Sequence, residues 1–416
     1  MRPLSRCDFE IAIICALSPG VNAIETLFDE HYDDLDHLYE KQDGDLNIYK
    51  TGRIGRHYVV LVYMPGKGNR RSASVSSGLR ISFTGIRLAL VVGICGGIPY
   101  SSEGDEIILG DVIISDSIVE YDVGRQYIHK FERERSVKEV LGPPNREIRT
   151  FLRRLETRRT RLQIQEKLMQ GLSYLQQHDK DDWQYPGVSK DILFDASYIH
   201  NHIQYPTEQP HTNCCTQASS FSCQDIGCSG QLIQRCRLKD TEQPEPRIHI
   251  GTIGSANSMM KFGEMRDQLS RSEGIVCFEM EGAGVWDNLP CVVVKGVSNY
   301  ADGHVNKMWQ SYAAAAAASC TKAFLEYWPT TANENRTIYR PYSPLIIPVD
   351  RDGMFTHQNE RVTFEVTKQK IIETTTKYTI GDTTKNYEKD VIPLQHQRLE
   401  VAPSTVLEDG KIEENK

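Results

Sequence analysis

The chain has 416 residues, 39% hydrophobic and 25% charged, with a formal net charge of −8. That length allows two or three domains of a polar globular protein. The acidic balance lacks the electrostatic footprint of nucleic-acid or anionic-membrane binding, so neither is expected as a partner.

The first residues do not read as a signal peptide, because the apolar run 11–17 is short and follows Asp8 and Glu10. No apolar run in the sequence approaches membrane-spanning length. Of the eleven cysteines, Cys15, Cys95, Cys277 and Cys291 lie inside apolar runs, where a thiol acts as a small hydrophobe. A reduced, cytoplasmic protein is expected.

Residues 9–16 form a buried-type strand. Ser18-Pro19 then fits a helix start, with serine as the cap and proline in the first turn. Val21, Ile24, Leu27 and Phe28 line one face of that helix. Residues 46–53 and 57–64 predict a hairpin joined at Ile54-Gly55-Arg56. The turn 65–72 leads into a helix carrying Val75 and Leu79. It lacks the Walker spacing. A glycine-rich turn ahead of a helix, bearing Lys67, Arg70 and Arg71, either holds an anion or is a solvated basic turn.

Residues 88–93 and 111–115 are further strands, the first opening into glycines, and 119–122 closes that sheet region. A helix starts near Asn145, with Ile148, Phe151, Leu152 and Leu155 on one face. From 157 to 246 the chain turns polar, with few periodic apolar positions, and reads as a low-order surface insertion. It holds Cys214, Cys215, Cys223, Cys228 and Cys236, with His200, His202 and His211 nearby. Their spacing matches no standard pairing of zinc ligands, so no metal is expected.

Sequence order resumes at 248–255. Cys277-Phe278-Glu279-Met280-Glu281-Gly282-Ala283-Gly284 is a short apolar strand that runs into acids, then into small residues, with a helix behind at Val285 and Trp286. A second apolar run, 291–302, also ends in polar groups. Ligands of α/β proteins gather where such strands end. An alanine-rich helix over 312–328 stops at Pro329. The tail 330–416 is rich in Thr, Glu and Lys and is read as disordered, though 362–366 and 377–380 suit a small hairpin.

Several of these pieces together resemble the nucleoside phosphorylase and nucleosidase superfamily, most closely its fungal members found as N-terminal modules of larger proteins. The resemblance is carried by 11–17, 51–57, Val92-Gly93-Ile94-Cys95-Gly96-Gly97, 109–115, 278–287 and Lys295-Gly296-Val297-Ser298-Asn299-Tyr300-Ala301-Asp302. It implies a three-layer α/β/α fold with a central mixed sheet, formed by 7–156 and 247–329 around the insertion. It implies cleavage of the N-glycosidic bond of a purine ribonucleoside, by phosphate or water, in a homo-oligomer. The ligand is then a small-molecule nucleoside, with no cofactor beyond phosphate as co-substrate. Fold alone does not settle chemistry.

By the same resemblance Glu281 grips the ribose hydroxyls and favours the cation that develops on the sugar. Met280 packs on the sugar, Phe278 stacks on the base, and Cys95 and Gly96 line the floor, where small residues let the backbone approach. Glu279 either joins them or supports them from behind. The position of the family's base-protonating acid falls on Asn299, and an amide hydrogen-bonds without delivering a proton. Some phosphorylases use an asparagine near this place for 6-oxopurines, and Asp302 is a nearby carboxyl at a different spacing. Gly20 stands where nucleosidases place a water-activating glutamate. Ala23 or Ile24, and Val91, stand where bacterial phosphorylases place phosphate-binding arginines. Lys67, Arg70 and Arg71 are the remaining cations for a phosphate clamp. Two expectations follow: an enzyme of this family, or a nucleoside-binding module with impaired catalysis.

Overall fold

Nine strands join in one mixed sheet, and the order of its strands sets where a ligand can sit. The computed structural model describes residues 2–32, 39–128, 131–133, 141–199, 223, 227–304 and 306–330, with the backbone of strands within 354–414. The strands are β1 (Ile11–Cys15), β2 (Glu30–His31), β3 (Tyr49–Ile54), β4 (His57–Tyr63), β5 (Leu88–Gly97), β6 (Val112–Glu120), β7 (Gly124–Gln126), β8 (Phe131–Arg133), β9 (Ile248–Ser255), β10 (Ile275–Glu279) and β11 (Cys291–Asn299). The helices are α1 (Ser18–Thr26), α2 (Asn69–Ser82), α3 (Arg146–Leu155), α4 (Arg158–His178), α5 (Gly263–Glu273), α6 (Gly282–Trp286) and α7 (Trp309–Tyr327).

The large sheet runs β10-β9-β6-β11-β5-β1-β4-β3-β2. At its centre β1, β5 and β11 are parallel neighbours. They are apolar at nearly every position because both faces are covered. α7 packs on β5 and β11, joined by α1 and α4, while α6 and α2 lie on the other face. This is the three-layer α/β/α arrangement with a mixed sheet. The alanines of α7 have a steric reason. Ala313 to Ala318 are all buried, and a Cβ on Gly296 would lie only 1.9 Å from the Ala313 carbonyl oxygen. Backbone meets backbone there, and only small residues allow it.

One irregularity builds the site. β10 runs parallel to β9 but also pairs antiparallel with the end of β5, Phe278 opposite Gly96 and Cys277 opposite Gly97. Five strands thus close on themselves, and the ends of β5, β10 and β11 converge. The hairpin of β3 and β4 turns at Gly55, whose φ is +59°. Asn145 caps α3 through Ile148 N at 2.9 Å. Ser18 is the first residue of α1 rather than its cap, and its neighbour Leu17 caps without a side-chain bond.

The expected low-order insertion needs correction at its start. Arg158–His178 is a 21-residue helix with Ile164, Leu168, Leu172 and Leu175 buried, and it packs on α7. A Cβ on Gly171 would touch Ser319. Beyond it Trp183, Leu193 and Phe194 are buried. Buried Arg235 donates to the carbonyls of Pro99 and Ile107 at 2.8 and 2.6 Å. These side chains are part of the core, not of a detachable surface segment. Cys214, Cys215, His200, His202 and His211 lie outside the described residues.

Residues 331–416 form a second compact unit. In it β12 (Met354–His357), β13 (Glu360–Lys370), β14 (Glu373–Ile380) and β15 (Thr383–Tyr387) make a four-stranded antiparallel sheet. Val362 stands opposite Ile380. The hairpin considered for 362–366 and 377–380 falls within this pairing. Among the described residues no helix is long and apolar enough to cross a membrane.

Candidate functional site

The converging ends of β5, β10 and β11 enclose a pocket lined by Val92, Gly93, Cys95, Gly96, Phe278 and Asn299, the concave place at strand ends where small-molecule sites are found. Its polar end is built from Glu279, Glu281 and Lys295. β10 ends at Glu279, whose carboxylate accepts from the N–H groups of Glu281 at 2.9 Å and Gly282 at 2.9 and 3.0 Å. It thereby closes the start of α6, where an anion suits the free N–H groups. This places Glu279 behind Glu281 as its support. The backbone of Glu281 is fixed from α2, because Ser72 Oγ donates to its carbonyl at 2.6 Å. α6 approaches α2 so closely that a Cβ on Gly284 would lie 2.0 Å from Asn69 O.

Lys295 rises from β11 beneath both acids. Its side chain is 2% exposed, and Nζ lies 2.8 Å from Glu281 Oε2 and 3.2 Å from Glu279 Oε2. Glycine at position 93, its partner on β5, leaves the ammonium room, since a Cβ there would come within 3.5 Å of Nζ. Burial pushes the Glu281 carboxyl up, but the charge and hydrogen bond of Lys295, with the Gly68 N–H and Lys67, outweigh it and hold Glu281 below the usual carboxylate range. Burial likewise works against the Lys295 ammonium, and the two glutamates more than offset it, holding Lys295 above the usual lysine range. The Glu281 carboxylate is thereby kept ionised beside the pocket. Lys295 had a legible signal, a single lysine inside Val292-Val293-Val294-Lys295-Gly296-Val297, yet no role was expected of it.

The other end of the pocket is apolar and aromatic. Phe278 stands edge-on to Tyr121, ring centroids 5.4 Å apart, and both line the pocket with Met280 and Cys95. Tyr121 was not among the expected site residues. Gly96 forms the floor. A Cβ on it would lie 2.8 Å from Asn299 Oδ1 and 2.9 Å from Ala301 Cβ, so a side chain is excluded.

Asn299 does line the pocket, but its carboxamide is engaged within its own turn. Oδ1 accepts from Ala301 N at 2.9 Å and Nδ2 donates to Ser298 Oγ at 3.2 Å. Ala301, at φ +55°, reverses the chain, and Asp302 is carried away from the pocket lining. Asp302 is buried instead against the next loop. Its Oδ1 accepts from His304 N at 3.0 Å, and its Oδ2 lies 3.9 Å from Arg266 Nη1. Burial pushes its carboxyl up against the pull of His304 and Arg266. Its expected role as a replacement acid is corrected by this placement.

Of the expected phosphate cations, Lys67 lines the pocket. Arg70 and Arg71 are exposed and do not line it. Arg71 donates to Lys67 O at 2.7 Å and so braces the turn. Ala23, Ile24 and Val91 are buried in the core. Gly20 is buried in α1. A Cβ there would lie 3.9 Å from Gly93 Cα, so the position has room for one. The structure thus gathers Glu279, Met280, Glu281, Phe278, Cys95, Gly96, Asn299 and Lys67 into one pocket and leaves Asp302, Arg70 and Arg71 out.

Residues 10–174 match the sequence model of the Phosphorylase superfamily, a stretch that takes in most of α4. A protein of Hyaloscypha variabilis described as a nucleotide-binding leucine-rich repeat (NLR)-like protein is 29% identical over 325 residues, 76% of this chain and 29% of that protein. The chain therefore spans under a third of the length of this curated relative. Among solved structures, futalosine hydrolase of Helicobacter pylori aligns with 77% of this chain and 99% of its own, at 14% identity and a TM-score of 0.45. S-adenosylhomocysteine nucleosidase from Streptococcus pyogenes, in complex with 5-methylthiotubericidin, aligns with 78% of this chain and 98% of its own, at 16% identity and a TM-score of 0.46.

Proposed function

We propose that the pocket binds a purine ribonucleoside and cleaves its N-glycosidic bond, a reading supported by the match of residues 10–174 to the Phosphorylase superfamily. The observation that carries this reading is the buried Glu281 carboxylate, kept ionised by Lys295 at 2.8 Å, beside an apolar wall of Phe278, Tyr121 and Met280. In such a cleavage the sugar gathers positive charge while the base departs with the bonding electrons. Glu281 accepts hydrogen bonds from the ribose hydroxyls and stabilises the cation through a fixed, desolvated charge. The aromatic pair holds the base, and Asn299 at that end suits hydrogen bonding better than proton delivery. The attacking group is water or phosphate. Lys67, which lines the pocket, is the residue on which phosphate would depend.

A second reading, binding without turnover, is favoured by the Asn299 carboxamide being engaged by Ala301 N and Ser298 Oγ. The length of the NLR-like relative supports it too, since such a module would serve a larger protein. Base release from a panel of nucleosides, with and without phosphate, distinguishes the two, provided that binding is measured on the same samples by calorimetry. Release of purine base at an ordinary rate supports the enzyme. Tight binding with no release supports the module, and neither binding nor release removes the nucleoside from the account.

A further inference from the structure

Behind the base end of the pocket, three metal-ligating atoms converge that the proposed reaction does not use. Cys223 Sγ lies 3.4 Å from His304 Nδ1. Cys228 Sγ completes a group whose ligand atoms all fall within 4.8 Å of one another. The two cysteines are tied to each other, Cys228 N donating to Cys223 O at 2.9 Å.

The histidine is oriented for a ligand. His304 Nε2 lies 3.1 Å from Tyr198 O. A carbonyl oxygen only accepts, so the ring proton sits on Nε2 and the lone pair of Nδ1 faces Cys223. A backbone carbonyl on the far nitrogen is the usual way a metal-bound imidazole has its tautomer and orientation set. Stacking on Tyr198, ring centroids 5.5 Å apart, and contact with Phe194 at 4.5 Å hold the ring in place. Beside it buried Asp302 has an oxygen, Oδ2, without a hydrogen-bond partner among the described residues.

We propose that Cys223, Cys228 and His304 bind Zn²⁺ or a cation of the same borderline-soft class. Thiolate and imidazole donors select such ions over magnesium or calcium, which require oxygen. The spacing fits as well. Tetrahedral bonds of about 2.3 Å to sulfur and about 2.0–2.1 Å to nitrogen put the two ligand atoms roughly 3.5 Å apart, and the observed Cys223–His304 separation is 3.4 Å. Three protein ligands leave a fourth coordination position. The cavity that Cys223 and His304 line is also lined by Ser298 and Asn299, and Asn299 reaches the nucleoside pocket from its other side. The ion fastens Cys223 and Cys228 to the loop after β11 and so steadies the turn that carries Asn299. This site stands independently of the glycosidic reading. Sequence spacing hid it because the third ligand comes from a loop far along the chain, after β11.

The full chain, purified under reducing conditions, is the sample for the test. Metal analysis after zinc loading and dialysis should find about one zinc per chain. The cobalt-loaded chain should show an intense thiolate charge-transfer band. C223S, C228S and H304Q should each lose both signals, while C236S, which alters an exposed cysteine outside the cluster, keeps them. Should the variants fail to fold, the wild-type chain alone still decides. Zinc must shield Cys223 and Cys228 from alkylation in peptide mass spectra, and a chelator must expose them. Zinc retained equally by the C223S/C228S double variant, no zinc retained by the wild type, or a Cys223–Cys228 disulfide in the reduced preparation would each overturn the proposal.

Discussion

The two ends of the pocket treat their polar groups in opposite ways. At the sugar end the carboxylates of Glu279 and Glu281 share a lysine that is almost wholly buried, and the charge of Glu281 remains beside the cavity. At the base end the carboxamide of Asn299 is turned onto its own backbone turn, and the nearest following acid, Asp302, faces away. The difference teaches that, on the proposed reading, the pocket carries a charge suited to a positive sugar but, among the described residues, no evident proton donor for a departing base. The proposed binding and the proposed catalysis can therefore be tested separately, each end against the other.

The largest effect is expected from Lys295→Met. It leaves two buried carboxylates without their counter-ion, and breaking a buried pair costs about 3–5 kcal/mol. Urea unfolding measures it. A loss within about 0.5 kcal/mol, as for an ordinary surface change, would mean that the trio is not coupled and would dissolve the contrast between the two ends.

The base end is probed by gain rather than loss. Asn299→Asp supplies a proton donor, and general acid catalysis contributes about 10²–10⁴-fold. Gly20→Glu supplies a base for water at a position with space for a Cβ. Both act on one transition state, so the double variant should exceed the product of the single gains in adenine release. A wild type that already turns over adenosine at an ordinary rate, about 1–10³ per second, would show that the base end is not impaired.

The pH dependence separates the partners of the charged end. Glu281 is held below its ordinary 4.5. Its stabilising contribution is thus present above that value and lost as pH falls through the lower folded-state value. Lys295 is held above its ordinary 10.5, so its contribution is present below that value and lost as pH rises through the higher folded-state value. Melting temperature should be level between the two flanks and fall on each. Each unit of displacement carries roughly 1.4 kcal/mol. Glu281→Gln should flatten the acid flank. An acid flank of unchanged depth in that variant would place the titration elsewhere.

Much of this was legible in the sequence, and the gaps have physical reasons. Apolar runs ending in glycine or acid marked β5, β10 and β11, because buried strands must be apolar and backbone-lined floors must be small. The roles expected of Glu281, Phe278 and Gly96 at those strand ends came from the resemblance. α4 was missed because Ile164, Leu168, Leu172 and Leu175 are isolated among Gln and Arg, a narrow stripe that suffices only because the alanine face of α7 receives it. A deletion of 157–246 would accordingly remove core side chains. Lys295 was passed over because a lysine in a strand normally faces water, and only the pairing with β5 and the fold-back of β10 bring the two glutamates to it. Asp302 was placed wrongly because a positive φ at Ala301 is not predictable from a non-glycine residue.

The central claim is that Glu281, ionised by Lys295, is what holds a nucleoside. Calorimetric titration of inosine and adenosine into the wild type and Glu281→Gln tests it most directly. The variant should stay folded, since Lys295 retains Glu279 at 3.2 Å, and should lose about 1.5–3 kcal/mol of binding free energy, the worth of a charge-assisted hydrogen bond. Equal affinity in the two proteins would contradict the account and remove Glu281 from the ligand.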